Sequence, residues 1–124
     1  MPKTLVSDHE RAEKFEHYPV HEQDVLKVPV AFFQDDRFRS MSTHAKFLYS
    51  WLLDRTTNLS QKNNWIDDKG RFFVHYANKE LASYLNLGES TIRKRMDELR
   101  EIGLIKTVRI GQGNPNRIYV MTFW

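Results

Sequence analysis

Residues 78–105 read "NKELASYLNLGESTIRKRMDELREIGLI", and the fold turns on how this stretch is punctuated. Leu81, Ala82 and Leu85 recur at helical spacing, so a short helix is expected with Asn78 as its cap. "LGES" (Leu87–Ser90) then breaks the pattern. Gly88 is expected to accept a positive φ, and Ser90 to cap the next helix. At about 100° per residue, Ile92, Met96 and Leu99 share one narrow sector that must face a core. Ser90, Lys94, Asp97 and Glu101 point roughly the other way. Thr91 and Arg93 flank the apolar sector, and Arg95 borders it, its stem able to lie on apolar surface. Gly103 is the expected helix stop, since a residue in the left-handed region commonly closes a helix.

Beyond Gly103, "LIKTVRI" and "NRIYVMTF" have the β-branched and aromatic content of strands, joined by "GQGNP", whose residues favour tight turns. Two short helices joined by a tight turn and followed by a β-hairpin define a winged helix-turn-helix. Upstream, "SMSTHAKFLYSWLLDRTTNL" predicts a helix capped by Ser42 or Thr43 and fading near Thr56–Thr57, with Ala45, Leu48, Trp51 and Leu52 buried and Phe47 and Tyr49 widening the stripe. "SQKNNWIDDKG" reads as a polar loop turning into a short strand, "RFFVHY" (Arg71–Tyr76). "DVLKVPVAFF" contains Pro29, which cannot donate to a ladder, so an extended edge-like segment is expected, followed by a turn or helical piece at "QDDRF". The expected class is α+β: a helical core with a small antiparallel sheet and a C-terminal wing. Residues 1–23 form a polar arm and 24–124 the winged helix-turn-helix domain.

The chain has 124 residues, 40% hydrophobic and 28% charged, with a sequence pI of about 9.2 and a formal net charge of +3. This balance suits a polyanionic partner without requiring one. The distribution is more telling. Residues 1–25 carry three basic and six acidic side chains, whereas residues 90–117 carry seven basic and three acidic. Within the third helix the bases gather in the N-terminal half, against the preference of the helix dipole. A charged helix face held by i,i+4 neighbours such as Lys94 and Glu98 accounts for the same residues about as well when the helix is taken alone. The turn before it and the wing after it favour a reading edge. Arg93, Lys94 and Arg95 have the donors for guanine edges or phosphates, and Ser90 and Thr91 can bond a phosphate beside a helix N-terminus. Arg109, Asn114, Asn116 and Arg117 bracket the hairpin tip, where a wing can meet the backbone or minor groove. Asn78 and Lys79 open the preceding helix and can touch a phosphate.

Over a longer span the sequence resembles one family. "VPVAFF", "STHAKFLYSWLLDRTTNLSQKNNWIDDKGRFFVHY", the helix-turn-helix and "NPNRIYV", in this order, are similar to the N-terminal domain of RepA-type plasmid replication initiators from Gram-positive bacteria. The resemblance runs from Val28 to Val120. Its most distinctive part keeps Leu53-Asp54-Arg55, Leu59-Ser60, Lys62-Asn63, Trp65, Asp67 and Gly70. It implies sequence-specific binding of double-stranded DNA at repeated sites (iterons) in a plasmid origin, usually as a homodimer. It also implies host replication proteins as partners of a further C-terminal domain that this chain, stopping at Trp124, lacks. On this resemblance the chain is expected to be a DNA-binding fragment or a truncated member. The alternatives carried beside it are a winged-helix transcriptional repressor and a winged helix used only for protein–protein contact.

Other chemistry finds little footing. There is no cysteine, which removes disulfides, thiol nucleophiles and Cys-ligated zinc. His17 and His21 have metal-ligand spacing, but Pro19 lies between them and no further ligand pattern follows. Asp35–Asp36 and Asp67–Asp68 sit in turn-like segments rather than as a paired acid and base. No nucleophile elbow or phosphate-binding P-loop is present. No catalysis, metal or cofactor is expected, and the N-terminus is too charged for a secretory signal, so a cytoplasmic domain is expected.

Overall fold

The computed structural model describes residues 25–111, 113 and 116–124. The expected N-terminal arm and Asn114 lie outside the described residues. Chain order is α1 (Ala31–Gln34), a 3-10 turn (Asp36–Phe38), α2 (Thr43–Leu59), β1 (Val74–His75), α3 (Asn78–Leu85), α4 (Glu89–Glu101), β2 (Ile105–Val108) and β3 (Arg117–Val120). The strands make one antiparallel sheet in the order β1-β3-β2. Val74 pairs with Ile118, and Ile105 with Val120. This is the winged helix-turn-helix expected from the sequence.

The core lies where α2, α3, α4 and the inner sheet face meet. Leu48 and Leu52 from α2, Leu81 from α3, Ile92, Met96 and Leu99 from α4, and Val74 and Ile118 from the sheet form one cluster. The three apolar positions of α4 are 0–3% exposed, as the wheel requires. Burying each such side chain contributes roughly 1.5–3 kcal/mol. A second pole is aromatic: Phe32 meets Phe38 and Tyr49 edge-on and stacks on Phe123.

Several expectations are corrected. "VPVAFF" is not extended throughout: α1 starts at Ala31, with Val30 as N-cap already at φ −61 and ψ −31, and the Pro29 carbonyl accepts from Phe32 N–H at 3.1 Å. α2 runs on to Leu59, with Thr56 and Thr57 hydroxyls bonded back to the carbonyls of Leu52 and Leu53. "RFFVHY" shrinks to a two-residue strand, with one isolated bridge between Ile66 and Phe72. Phe47 is 48% exposed rather than part of the core. Of the two caps expected for α2, Ser42 is borne out, its Oγ accepting from Ala45 N–H at 3.2 Å.

Candidate nucleic-acid interface

The turn between α3 and α4 sets the direction of everything after it. α3 is capped at Ala77, not Asn78; the Ala77 N–H donates to Glu80 Oε1 at 2.9 Å, so a first-turn acid replaces the expected side-chain cap. The left-handed residue of the turn is Asn86, at φ 55, not Gly88. Gly88 has φ −73 and ψ 153 and is itself the N-cap of α4, so Ser90 lies inside the first turn instead of capping it. The cause is local: asparagine tolerates the left-handed region, and once Asn86 has turned the chain the glycine is left extended.

α4 ends in a Schellman closure. Leu104 N–H bonds Leu99 carbonyl at 2.9 Å, Gly103 N–H bonds Arg100 carbonyl at 3.1 Å, and Gly103 has φ 83. Leu99 and Leu104 are both buried behind it. This stop feeds the chain straight into β2 and the wing.

With α4 held by Ile92, Met96 and Leu99, its N-terminal half presents Ser90, Arg93 and Lys94 to solvent, with Thr91 half-buried beside them. Lys79, in the first turn of α3, is exposed, and Asn78 half-buried. Arg109, just past β2, is exposed. Among the described residues Lys79, Arg93, Lys94 and Arg109 take part in no ion pair, side-chain hydrogen bond or cation–π contact. Lys62, Lys69 and Lys106 share that freedom. What sets the first four apart is their place at two helix N-terminal turns and at the wing.

Other predicted residues are engaged within the domain. Arg95 does not stand out into solvent: its Nη1 lies 3.1 Å from Glu98 Oε1, and its Nε is buried without a partner. The expected Lys94–Glu98 pair is therefore replaced by Arg95–Glu98. Arg117 pairs in register with Val108 and His75, and its guanidinium lies 4.5 Å over the Phe73 ring. Asn116 is exposed, and its carbonyl lies 3.2 Å from His75 Nδ1. Arg100 pairs with Asp97 further along α4. Glu89 opens α4, so an acid does sit at the positive end of the dipole, one residue ahead of the stretch that suggested otherwise.

The sequence places Asp67 in a turn but does not disclose its partners. Its carboxylate accepts from Lys69 N–H at 2.9 Å, Arg71 N–H at 2.8 Å, Arg71 Nε at 2.9 Å and Tyr119 Oη at 3.0 Å. These bonds, the one from the Arg71 backbone foremost, hold its pKa down at about 2. The "DDKG" turn signalled the local bonds; nothing in it signalled Tyr119, 52 residues away. The long-range role of Glu98 is hidden for the same reason, since its partner Ser42 lies 56 residues away.

Residues 24–124 match a family described as the N-terminus of replication initiator protein A (RepA). The chain belongs to this family. Solved structures agree with the RepA N-terminal assignment. One described as the N-terminal domain of a DNA-binding protein superposes with a TM-score of 0.73 at 26% identity, over 98% of this chain and 85% of that one. A Rep–DNA complex gives 0.73 at 27%, over 96% and 84%. An MDR initiator gives 0.71 at 28%, over 96% and 86%. No curated protein sequence matches this chain significantly. Among the described residues no helix is long and apolar enough to cross a membrane, and no group of three His, Cys, Asp or Glu side chains could hold a metal.

Proposed function

We propose that this RepA N-terminal domain binds double-stranded DNA sequence-specifically at repeated sites in a plasmid origin and so initiates replication. One observation carries the reading: the cations that have no partner among the described residues, at the start of α3, along the N-terminal half of α4 and at the wing, lie at the three places from which a winged helix-turn-helix meets a duplex. The similarity to a Rep–DNA complex supports it.

Arg93 and Lys94 enter the major groove and contact base edges and phosphates. Ser90 and Thr91 bond the backbone where helix N–H groups are free. Asn78 and Lys79 hold a neighbouring phosphate. Arg109, Asn114, Asn116 and Arg117 serve the wing, Arg117 from its place over the Phe73 ring. Arg95 contributes from the border of the face while paired to Glu98. The domain acts by binding alone, without catalysis. It works as a homodimer in the cytoplasm, with host replication proteins as further partners.

The test is a titration with origin duplex and with random duplex of equal length at two salt concentrations, followed by a footprint. Binding that weakens steeply with salt and protects repeated sites is the expected result. A single protected palindrome at a promoter would instead point to repression, and no affinity at low salt would leave only protein contact.

A further inference from the structure

Glu98 lies on α4 one turn beyond Lys94, and its carboxylate reaches out of the helix to the start of α2. Oε2 accepts the Ser42 backbone N–H at 2.7 Å, and Oε1 accepts the Ser42 hydroxyl at 2.7 Å. Ser42 in turn caps α2, its Oγ accepting from Ala45 N–H. A carboxylate of the recognition helix thus sits at the positive end of the longest helix among the described residues, where a negative charge is favoured. The same Oε1 holds Arg95 Nη1 at 3.1 Å, and Arg95 has no other hydrogen-bond or ion-pair partner among the described residues. Both side chains are about three-quarters buried, with relative exposures of 28% and 24%.

These contacts differ in kind from the apolar packing of α4. Ile92, Met96 and Leu99 keep the helix on the core, but apolar contacts are not directional and tolerate small rotations or slides. Two short charge-assisted bonds to one backbone–side-chain pair on another element set rotation and axial position together. Arg93 and Lys94 project from the turn next to that lock. The lock also fixes where Arg95 acts: paired, its charge is held at the border of the reading face; released, it becomes one more mobile, unspecific cation on that face.

We propose that Glu98 is a positioning residue for DNA recognition, locking α4 to the α2 cap through Ser42 and restraining Arg95, so that it raises discrimination between sequences rather than affinity as such. The inference deepens the DNA-binding reading above and rests on it.

Its consequence has an unusual sign. Removing a surface acid from a DNA-binding face ordinarily tightens binding to every duplex, because a repulsion is lost. For Glu98→Gln the two kinds of DNA should move apart. Gln keeps the size and one acceptor, but it loses the charge and the second acceptor.

The experiment selects from a random pool the duplex that the wild-type domain binds best, and uses a scrambled duplex of the same composition as the second probe. Glu98→Gln and Ser42→Ala are each compared with wild type, with folding followed by circular dichroism and Arg93→Ala as control. Expected for Glu98→Gln is a loss of about fivefold or more on the selected duplex, the lower end of what one good base contact contributes. Affinity for the scrambled duplex should stay equal or rise. Ser42→Ala should shift the ratio the same way by less, since the backbone N–H remains. Equal gains on both duplexes would make Glu98 a mere repulsive charge and overturn the proposal. So would an unchanged ratio in folded protein, or a fall in melting temperature with no change in ratio. If Glu98→Gln does not fold, the Ser42→Ala ratio decides alone, and an unchanged value there overturns it. Should wild type select no duplex, or Arg93→Ala bind normally, the failure belongs to the DNA-binding reading and not to the lock.

Discussion

Tyr119 Oη donates to Asp67 Oδ2 at 3.0 Å, joining the outer face of β3 to the loop that follows α2. Arg71, bonded to the same carboxylate, lies 5.4 Å over the Tyr119 ring, and Arg117 lies over Phe73 beside it. The wing therefore hangs from more than its own hairpin. Asp67 collects backbone and side-chain donors from one loop and a hydroxyl from the last strand, which braces the base of the wing against the body of the domain.

That bracing should depend on acid pH. The folded pKa of Asp67, about 2, lies below the ordinary value of 3.8. A depressed carboxylate stabilises the fold fully above its unfolded pKa and loses that contribution as pH falls through the folded one. Acid unfolding followed by tryptophan fluorescence should show wild type losing stability between about pH 4 and pH 2. Asp67→Asn should start less stable at pH 7 and show a shallower loss across that window. Parallel curves for the two proteins would count against it.

On the reading face, Arg93→Ala and Lys94→Ala should weaken DNA binding while leaving thermal stability unchanged, because neither side chain has a partner among the described residues to lose. A side chain that grips a guanine should cost about 1–3 kcal/mol on the specific site alone. One that grips a phosphate should weaken all duplexes alike and reduce the salt slope by about one. Normal binding by both variants would move the interface elsewhere.

In the wing, the two arginines should separate. Arg109→Ala should affect DNA binding only, since Arg109 is exposed and has no side-chain partner among the described residues. Arg117→Ala should also lower the melting temperature, because its guanidinium covers Phe73 at 4.5 Å; such a contact is worth about 0.5–1 kcal/mol when partly exposed. Thermal melts of both variants beside their binding curves make the comparison.

Gly103→Ala should destabilise by about 1–2 kcal/mol, the cost of a side chain in the left-handed region. An added Cβ would meet nothing within 4 Å, so backbone strain is the only source. Chemical denaturation should register it as a lower midpoint with an unchanged slope.

Tyr49 offers an alkaline counterpart. Burial pushes its pKa up to about 12, and its hydroxyl donates to the Met121 carbonyl at 2.6 Å. A phenol raised above its unfolded value keeps the fold stable below about pH 10 and withdraws that stability as pH climbs toward 12. Tyr49→Phe should cost about 1–3 kcal/mol at neutral pH by leaving that carbonyl unsatisfied. It should also flatten the alkaline loss, as urea melts from pH 8 to pH 11 would show.

Periodicity and punctuation along the chain were enough for the architecture. Ile92, Met96 and Leu99 had to face one way, Gly103 had to end the helix, and the two strands had to pair across a glycine-rich turn, because each follows from backbone sterics and spacing within a few residues. The exposed positions of Arg93, Lys94 and Arg109 follow from the same local arithmetic. What the tertiary structure alone decided was the employment of the remaining charges. Arg95 went to Glu98, whose carboxylate is drawn inward by Ser42, 56 residues upstream. Asp67 and Tyr119 found each other across 52 residues. A hydrogen bond or ion pair is settled within about 3 Å in space. Between residues that far apart in the chain, only the packing of the whole domain brings donor and acceptor to that distance.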